Sequence, residues 1–137
     1  MIIFMDSSAL IKRYIEESGS NEVNSILEKA DDVIVSPVTL IEMNSAFRRR
    51  YSENNISKSD YEYLKEMIEN ESKDFSKIIF DSSLENKAIY LINKYQIRTL
   101  DSIQLASAII SESHLLVTSD KKLAHCAKSE EIETKFI

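Results

Sequence analysis

Four acidic residues carry the chemistry open to this chain: Asp6, Glu42, Asp101 and Asp120. Asp6 follows the apolar run Ile2-Ile3-Phe4-Met5 and precedes Ser7-Ser8. Asp120 follows Leu115-Leu116-Val117 and the hydroxyls of Thr118-Ser119. Both stand where a short apolar run gives way to a helical pattern. Glu42 lies early in the helical pattern after Val33-Ile34-Val35, and Asp101 opens the one after Ile97-Arg98-Thr99-Leu100. Carboxylates that meet repel one another, and burying them unpaired is costly, so such a cluster calls for a cation. Oxygen-only ligands select hard ions such as Mg2+ or Mn2+ over zinc. Such an ion activates water and neutralises charge on a phosphoryl oxygen, which points to phosphodiester hydrolysis. Each acid also has a plainer use. Asp6 can begin a turn, Glu42 can complete a Thr39-x-x-Glu42 capping box, and Asp101 can cap its helix.

The elements that must position these acids are legible as an alternation. Ile2–Met5 predicts a strand buried on both faces. Ser7 or Ser8 then caps a helix whose inner face is Leu10, Ile11, Tyr14 and Ile15, with Gly19 as its C-terminal cap. Ser20 caps a second helix with Val23, Ile26, Leu27 and Ala30 inward, and Val33–Val35 is the second strand. Ser36-Pro37 reads as an N-cap and first helical residue, which puts Glu42 in the second turn. Leu40, Met43, Asn44 and Phe47 share a face of that third helix. Ser57, with Asp60 in the box position, caps a fourth helix carrying Tyr61, Leu64 and Ile68. Tyr61 and Tyr63 are expected to pack. Ile78–Phe80 is a third strand, and Ser82 or Ser83 caps a fifth helix with Leu84, Ala88, Leu91, Ile92 and Tyr95 inward. A buried sixth helix starts at Asp101, Leu115–Val117 is the fourth strand, a helix follows from 121 to about 128, and residues 132–137 form a last strand. This order predicts an α/β fold, with a mainly parallel sheet covered on both faces. Right-handed crossovers gather the strand-to-helix junctions at one edge, although spacing alone leaves open whether Asp101 points there.

Composition narrows the classes. The chain has 137 residues, of which 43% are hydrophobic and 29% charged. These values suit one globular domain spanning residues 1–137. No apolar run approaches a membrane span and the N-terminal run is too short for a signal peptide, so a cytoplasmic protein without membrane contact is expected. The single cysteine, Cys126, forms no internal disulfide. With one glycine and one proline, the chain has no glycine-rich phosphate loop and no dinucleotide fingerprint. It has no Cys/His zinc spacing and no Ser/His/Asp triad, and His114 and His125 read as ordinary histidines. The net charge of −6 argues against non-specific nucleic-acid binding. Acids gathered around a cation contribute to that sum, so a metal-dependent nuclease stays open. Lys12, Arg13, Arg49 and Arg50 are the basic residues able to offset the acids and guide an RNA backbone, although the run Arg48–Arg50 also reads as a solvated face.

The chain resembles the PIN domain, and specifically the VapC-like toxins of type II toxin–antitoxin systems. The resemblance rests on Met5-Asp6-Ser7-Ser8-Ala9-Leu10-Ile11-Lys12, Thr39-Leu40-Ile41-Glu42, Leu100-Asp101-Ser102-Ile103-Gln104-Leu105-Ala106 and Val117-Thr118-Ser119-Asp120. Each piece is short; the four in this order are specific, and they cover nearly the whole chain. The resemblance implies a three-layer α/β/α domain with Mg2+- or Mn2+-dependent ribonuclease activity on RNA. It implies Asp6, Glu42, Asp101 and Asp120 as the catalytic, metal-holding acids, with Ser7, Thr118 or Ser119 as hydroxyl support. It also implies a homodimer held inactive by a VapB-like antitoxin. Ser7 stands where the family often has threonine, and Asp120 matches the family's least constant acid. Two other readings compete: a phosphotransfer domain, and a binding module of the same fold without catalysis. A receiver-like domain places its acceptor on a middle strand, whereas Asp6 ends the first; an aspartyl-nucleophile phosphatase needs an acid where Ser8 stands.

Overall fold

A computed structural model of the chain describes residues 1–137. Five strands, β1 (Ile2–Met5), β2 (Asp32–Val35), β3 (Ser76–Lys77), β4 (Leu115–Thr118) and β5 (Thr134–Phe136), form one sheet in the order β3-β2-β1-β4-β5. Every pairing is parallel. The helices are α1 (Ser7–Tyr14), α2 (Ser20–Lys29), α3 (Thr39–Ser52), α4 (Lys58–Glu71), α5 (Ser82–Tyr95), α6 (Thr99–Ser111) and α7 (Lys121–Ser129). No helix is long and apolar enough to cross a membrane.

The strand order decides which face each helix covers. The chain steps from β1 to β2 to β3 in one direction across the sheet, then returns to β4 and on to β5 in the other. Right-handed crossovers therefore put α1–α4 on one face and α5–α7 on the other. The packing agrees. Leu10, Val23, Met43, Phe47, Leu64 and Ile68 share a core with Ile3, Met5 and Val117. Leu84, Leu91, Leu105, Leu123 and Cys126 share the second core with Phe4 and Leu116. Alternate residues of β1 thus feed opposite cores, as the two-residue strand period requires. Ile3, Phe4 and Met5 are all fully buried, as a central parallel strand demands. The expected three-layer α/β/α domain is what forms, and its sheet is wholly parallel.

Several local details depart from the sequence reading. The third strand is Ser76–Lys77, with the Ile78 N–H donating to the Val35 carbonyl. Ile79 and Phe80 lie beyond it and are exposed by 77% and 54%. At the sheet edge only Ile78 packs against the core, so apolar content misplaces the strand by two residues. Tyr61 packs by stacking on Tyr51 at 5.0 Å, whereas Tyr63 is exposed. Gly19 does not end α1, which stops at Tyr14. It stands at the N-cap of α2 with φ at 95°, and Ser20 is the first residue inside that helix. Neither Ser82 nor Ser83 caps α5; the Asp81 carboxylate accepts from the Leu84 N–H at 3.0 Å. Ser57 caps α4 as expected, accepting from Asp60 N–H at 3.0 Å.

Candidate active site

The carboxyl edge of the sheet is where this topology binds ligands. The chain leaves β1 towards β2 on one side and reaches β4 on the other, so a crevice opens beyond the ends of β1 and β4. Asp6 follows β1 and Asp120 lies two residues past β4. A cleft of about 520 Å3 occupies this position, and Asp6, Glu42, Asp101 and Asp120 all line it. The question left open by spacing is thereby answered: the start of α6 does face the same edge.

The four acids are held differently. Asp6 is 5% exposed, and its Oδ2 accepts from Ser8 Oγ at 2.5 Å and from Thr118 Oγ1 at 2.8 Å. Burial pushes the Asp6 carboxyl up from 3.8 to about 6; the Ser8 and Thr118 hydroxyls pull against that, and the charges of Glu42 and Asp120 add to it. Asp6 also occupies the N-cap position of α1 but makes no side-chain cap, and neither Ser7 nor Ser8 replaces it there. Ser8 Oγ is instead turned to Asp6 and accepts from the Ser119 N–H at 2.9 Å.

Glu42 lies in the first turn of α3, one turn earlier than the Ser36-Pro37 start predicts. The chain caps itself ahead of the helix proper. Ser36 Oγ accepts from Val38 N–H at 3.2 Å, and Thr39 Oγ1 accepts from Ser36 N–H at 3.2 Å. This reciprocal pair does the work of a capping box and leaves Glu42 out of it. The Glu42 carboxylate is free for the cleft, where Oε1 accepts from Ser7 Oγ at 2.9 Å and from Gln104 Nε2 at 2.6 Å.

Asp101 is the third residue of α6 rather than its cap, and its Oδ2 meets Arg98 Nε at 3.4 Å. Asp120 does cap its helix, accepting from Leu123 N–H at 2.9 Å through Oδ1. The Arg98–Asp101 contact is the one ion pair formed by any of the four. Asp6, Glu42 and Asp120 therefore share the cleft without forming an ion pair, although Arg49, Arg50 and Arg98 line it too. As the side chains stand, no group of three or more acids is close enough to enclose an ion. The donor chemistry nonetheless fits a hard divalent cation: carboxylate oxygens with hydroxyls behind them, and no thiolate or imidazole.

The hydroxyls divide unequally. Thr118 reaches Asp6 and Ser7 reaches Glu42, whereas the buried Ser119 Oγ has no partner. The basic residues divide too. Arg49 and Arg50 line the cleft. Arg50 is drawn to Glu17 at 3.4 Å, and Arg49 makes no ion pair. Lys12 and Arg13 are not brought to the cleft. Lys12 pairs with Glu17 at 3.3 Å, and Arg13 pairs with Glu71 at 3.0 Å. Sequence reasoning gave no role to Ser8 beyond capping, and none to Arg98 or Gln104. For Gln104 a signal existed: one amide inside the small and apolar run Ile103–Ala108. A phosphoryl-acceptor role for Asp6 is opposed by its burial rather than by its strand. β1 is first in sequence but central in space, so strand position no longer opposes that role. Burial does, since a 5% exposed carboxylate offers a phosphodonor little access.

An all-parallel α/β/α sheet with an acid-lined cleft at its carboxyl edge defines the class. The chain belongs to the PIN domain family, whose model matches residues 3–129. No curated protein matches it in sequence. Among solved structures it is similar to FitAcB from Neisseria gonorrhoeae, at 16% identity over 98% of this chain and 96% of that one, with a TM-score of 0.72. It is similar to VapBC-1 from nontypeable Haemophilus influenzae, at 14% identity over 99% and 98%, with a TM-score of 0.72. It is also similar to VapC20 from Mycobacterium tuberculosis, a sarcin-ricin loop cleaving toxin, at 13% identity over 90% and 93%, with a TM-score of 0.70. At these identities the likeness is one of fold.

Proposed function

We propose that this chain is a divalent-cation-dependent endoribonuclease and the toxin of a type II toxin–antitoxin pair. The observation that carries the reading is the cleft itself, which Asp6, Glu42 and Asp120 line without any of the three forming an ion pair. Family membership and toxin–antitoxin neighbours in fold support it.

Asp6, Glu42, Asp101 and Asp120 would hold Mg2+ or Mn2+. When bound, such an ion lowers the pKa of water and offsets charge on a phosphoryl oxygen. The residues of the chain prepare the place. Ser8 and Thr118 fix one oxygen of Asp6 and leave Oδ1 without a protein hydrogen bond. Ser7 and Gln104 fix one oxygen of Glu42. Asp120 keeps Oδ2 available while Oδ1 caps α7. Arg49, exposed at the rim, meets the phosphates of an RNA strand that the acids would otherwise repel. Lys12 and Arg13 would extend that path only after leaving Glu17 and Glu71. A basic segment of a VapB-like antitoxin suits the same anionic cleft and would compete with cation and RNA. The proposed toxin acts in the cytoplasm as a homodimer.

The test is RNA cleavage with Mn2+, using Asp6→Asn and Glu42→Gln as controls. Each substitution should slow cleavage by orders of magnitude while circular dichroism stays native. Wild-type cleavage by either variant, or full activity in EDTA, refutes the reading.

A further inference from the structure

Gln104 is 2% exposed in α6, within a run whose other members are small or apolar. Its Nε2 lies 2.6 Å from Glu42 Oε1, 2.7 Å from Ser7 Oγ and 3.3 Å from Thr39 Oγ1. Ser7 Oγ in turn donates to the same Glu42 oxygen at 2.9 Å. One amide thus ties together the starts of α1 and α3 from across the sheet edge. Its orientation is set by charge: turned over, the amide would press its own oxygen against the Glu42 carboxylate. The cost is visible at the other end, where Gln104 Oε1 is buried with no hydrogen-bond partner. An interior that served stability alone would hold an apolar side chain here, since a half-satisfied polar group is worse than none. Local rules broken without local compensation are the mark of a functional position. Glu42 needs such a tie, because it is only half-buried, sits on a long, rotatable side chain and forms no ion pair.

We propose that Gln104 is a positioning residue, which holds the Glu42 carboxylate and the Ser7 hydroxyl in the arrangement that receives the divalent cation. This rests on the proposed function, since it requires that Glu42 help hold a cation. Partners that orient a ligand in this way typically change metal affinity by about 10–100-fold when removed.

The test is isothermal titration of the full-length protein with Mn2+ alone, beside thermal melts in EDTA. Gln104→Met keeps side-chain volume and removes both the donors and the orphaned acceptor. It should melt in EDTA at or above wild type, yet bind Mn2+ about tenfold more weakly. The Gln104→Met effect should also vanish in a Glu42→Ala background, because residues acting through one another are not additive. Gln104→Glu, which sets a second carboxylate against Glu42, should weaken binding further and gives the same comparison if the methionine variant fails to fold. A purely packing role predicts a lower melting point with Mn2+ affinity unchanged, and that result overturns the inference while leaving the proposed function intact. A loss of affinity that persists unchanged in the Glu42→Ala background overturns it as well. Wild-type protein that binds no Mn2+ removes the proposed function and this inference with it.

Discussion

Replacing Asp6 by asparagine should make the cation-free protein more stable, and the gain should depend on pH in one direction. The Asp6 carboxyl titrates at about 6 in the fold against 3.8 as the ordinary value, chiefly because it is buried. Between those pH values the folded chain holds a proton that the unfolded chain has released. Wild-type stability therefore falls as pH rises through this window, and the cost is complete above about pH 6. At about 1.4 kcal/mol per pH unit, the gap amounts to about 3 kcal/mol. Asparagine keeps the shape and can accept from Ser8 and Thr118 through its carbonyl. A less well matched amide group takes back about 1 kcal/mol. The net gain of about 2 kcal/mol corresponds to a rise in Tm of roughly 5–10 °C for a chain of this size. Melts of both proteins in EDTA from pH 4 to pH 8 provide the assay. The variant should melt higher at pH 7.5 and together with wild type near pH 4. Millimolar Mn2+ should reverse the order by stabilising wild type alone, by about 2.7 kcal/mol at a concentration 100-fold above Kd. A variant that melts below wild type at pH 7.5 in EDTA refutes the claim that Asp6 is an uncompensated buried charge.

The other acids and the sole glycine give sharper contrasts. Asp101 is paired with Arg98, which is 88% exposed, so Asp101→Asn should change stability in EDTA by less than about 1 kcal/mol, measured by urea denaturation. A stabilisation like that of Asp6→Asn would show that Asp101 too is strained by its neighbours. Gly19 has φ at 95°, and a Cβ there would come within 2.4 Å of Ile137 Cγ2. Gly19→Ala should therefore cost about 1–2 kcal/mol in the same assay, and an unchanged midpoint would show that the α1–α2 turn is free to readjust.

Much of this protein could be read from its sequence because the signals are local. An apolar run of four marks β1 and a run of three followed by hydroxyls marks β4, and repeats of three and four mark the helices, since each element's pattern is its own geometry written out. Alternation then implies parallel strands, and the handedness of crossovers carries Asp6 and Asp120 to one edge before any coordinates are known. The Ser57 cap is legible for the same reason: its donor lies three residues away. What the sequence left open depends on partners far along the chain. Asp101 reaches the shared cleft because the connection from β3 to β4 passes over β2 and β1, and Ile78–Phe80 gives way to Ser76–Lys77 because pairing with β2 decides the strand. Lys12 and Arg13 look like free cations until Glu17 and Glu71 are seen beside them. Thr118 reaches Asp6 across 112 residues of chain and Gln104 reaches Ser7 across 97. The residue types that can do chemistry are thus a property of the sequence. Which of their oxygens are bound, buried or left free is decided in the folded chain, because burial and hydrogen bonding are set by whichever atoms the fold brings within about 3 Å of each other.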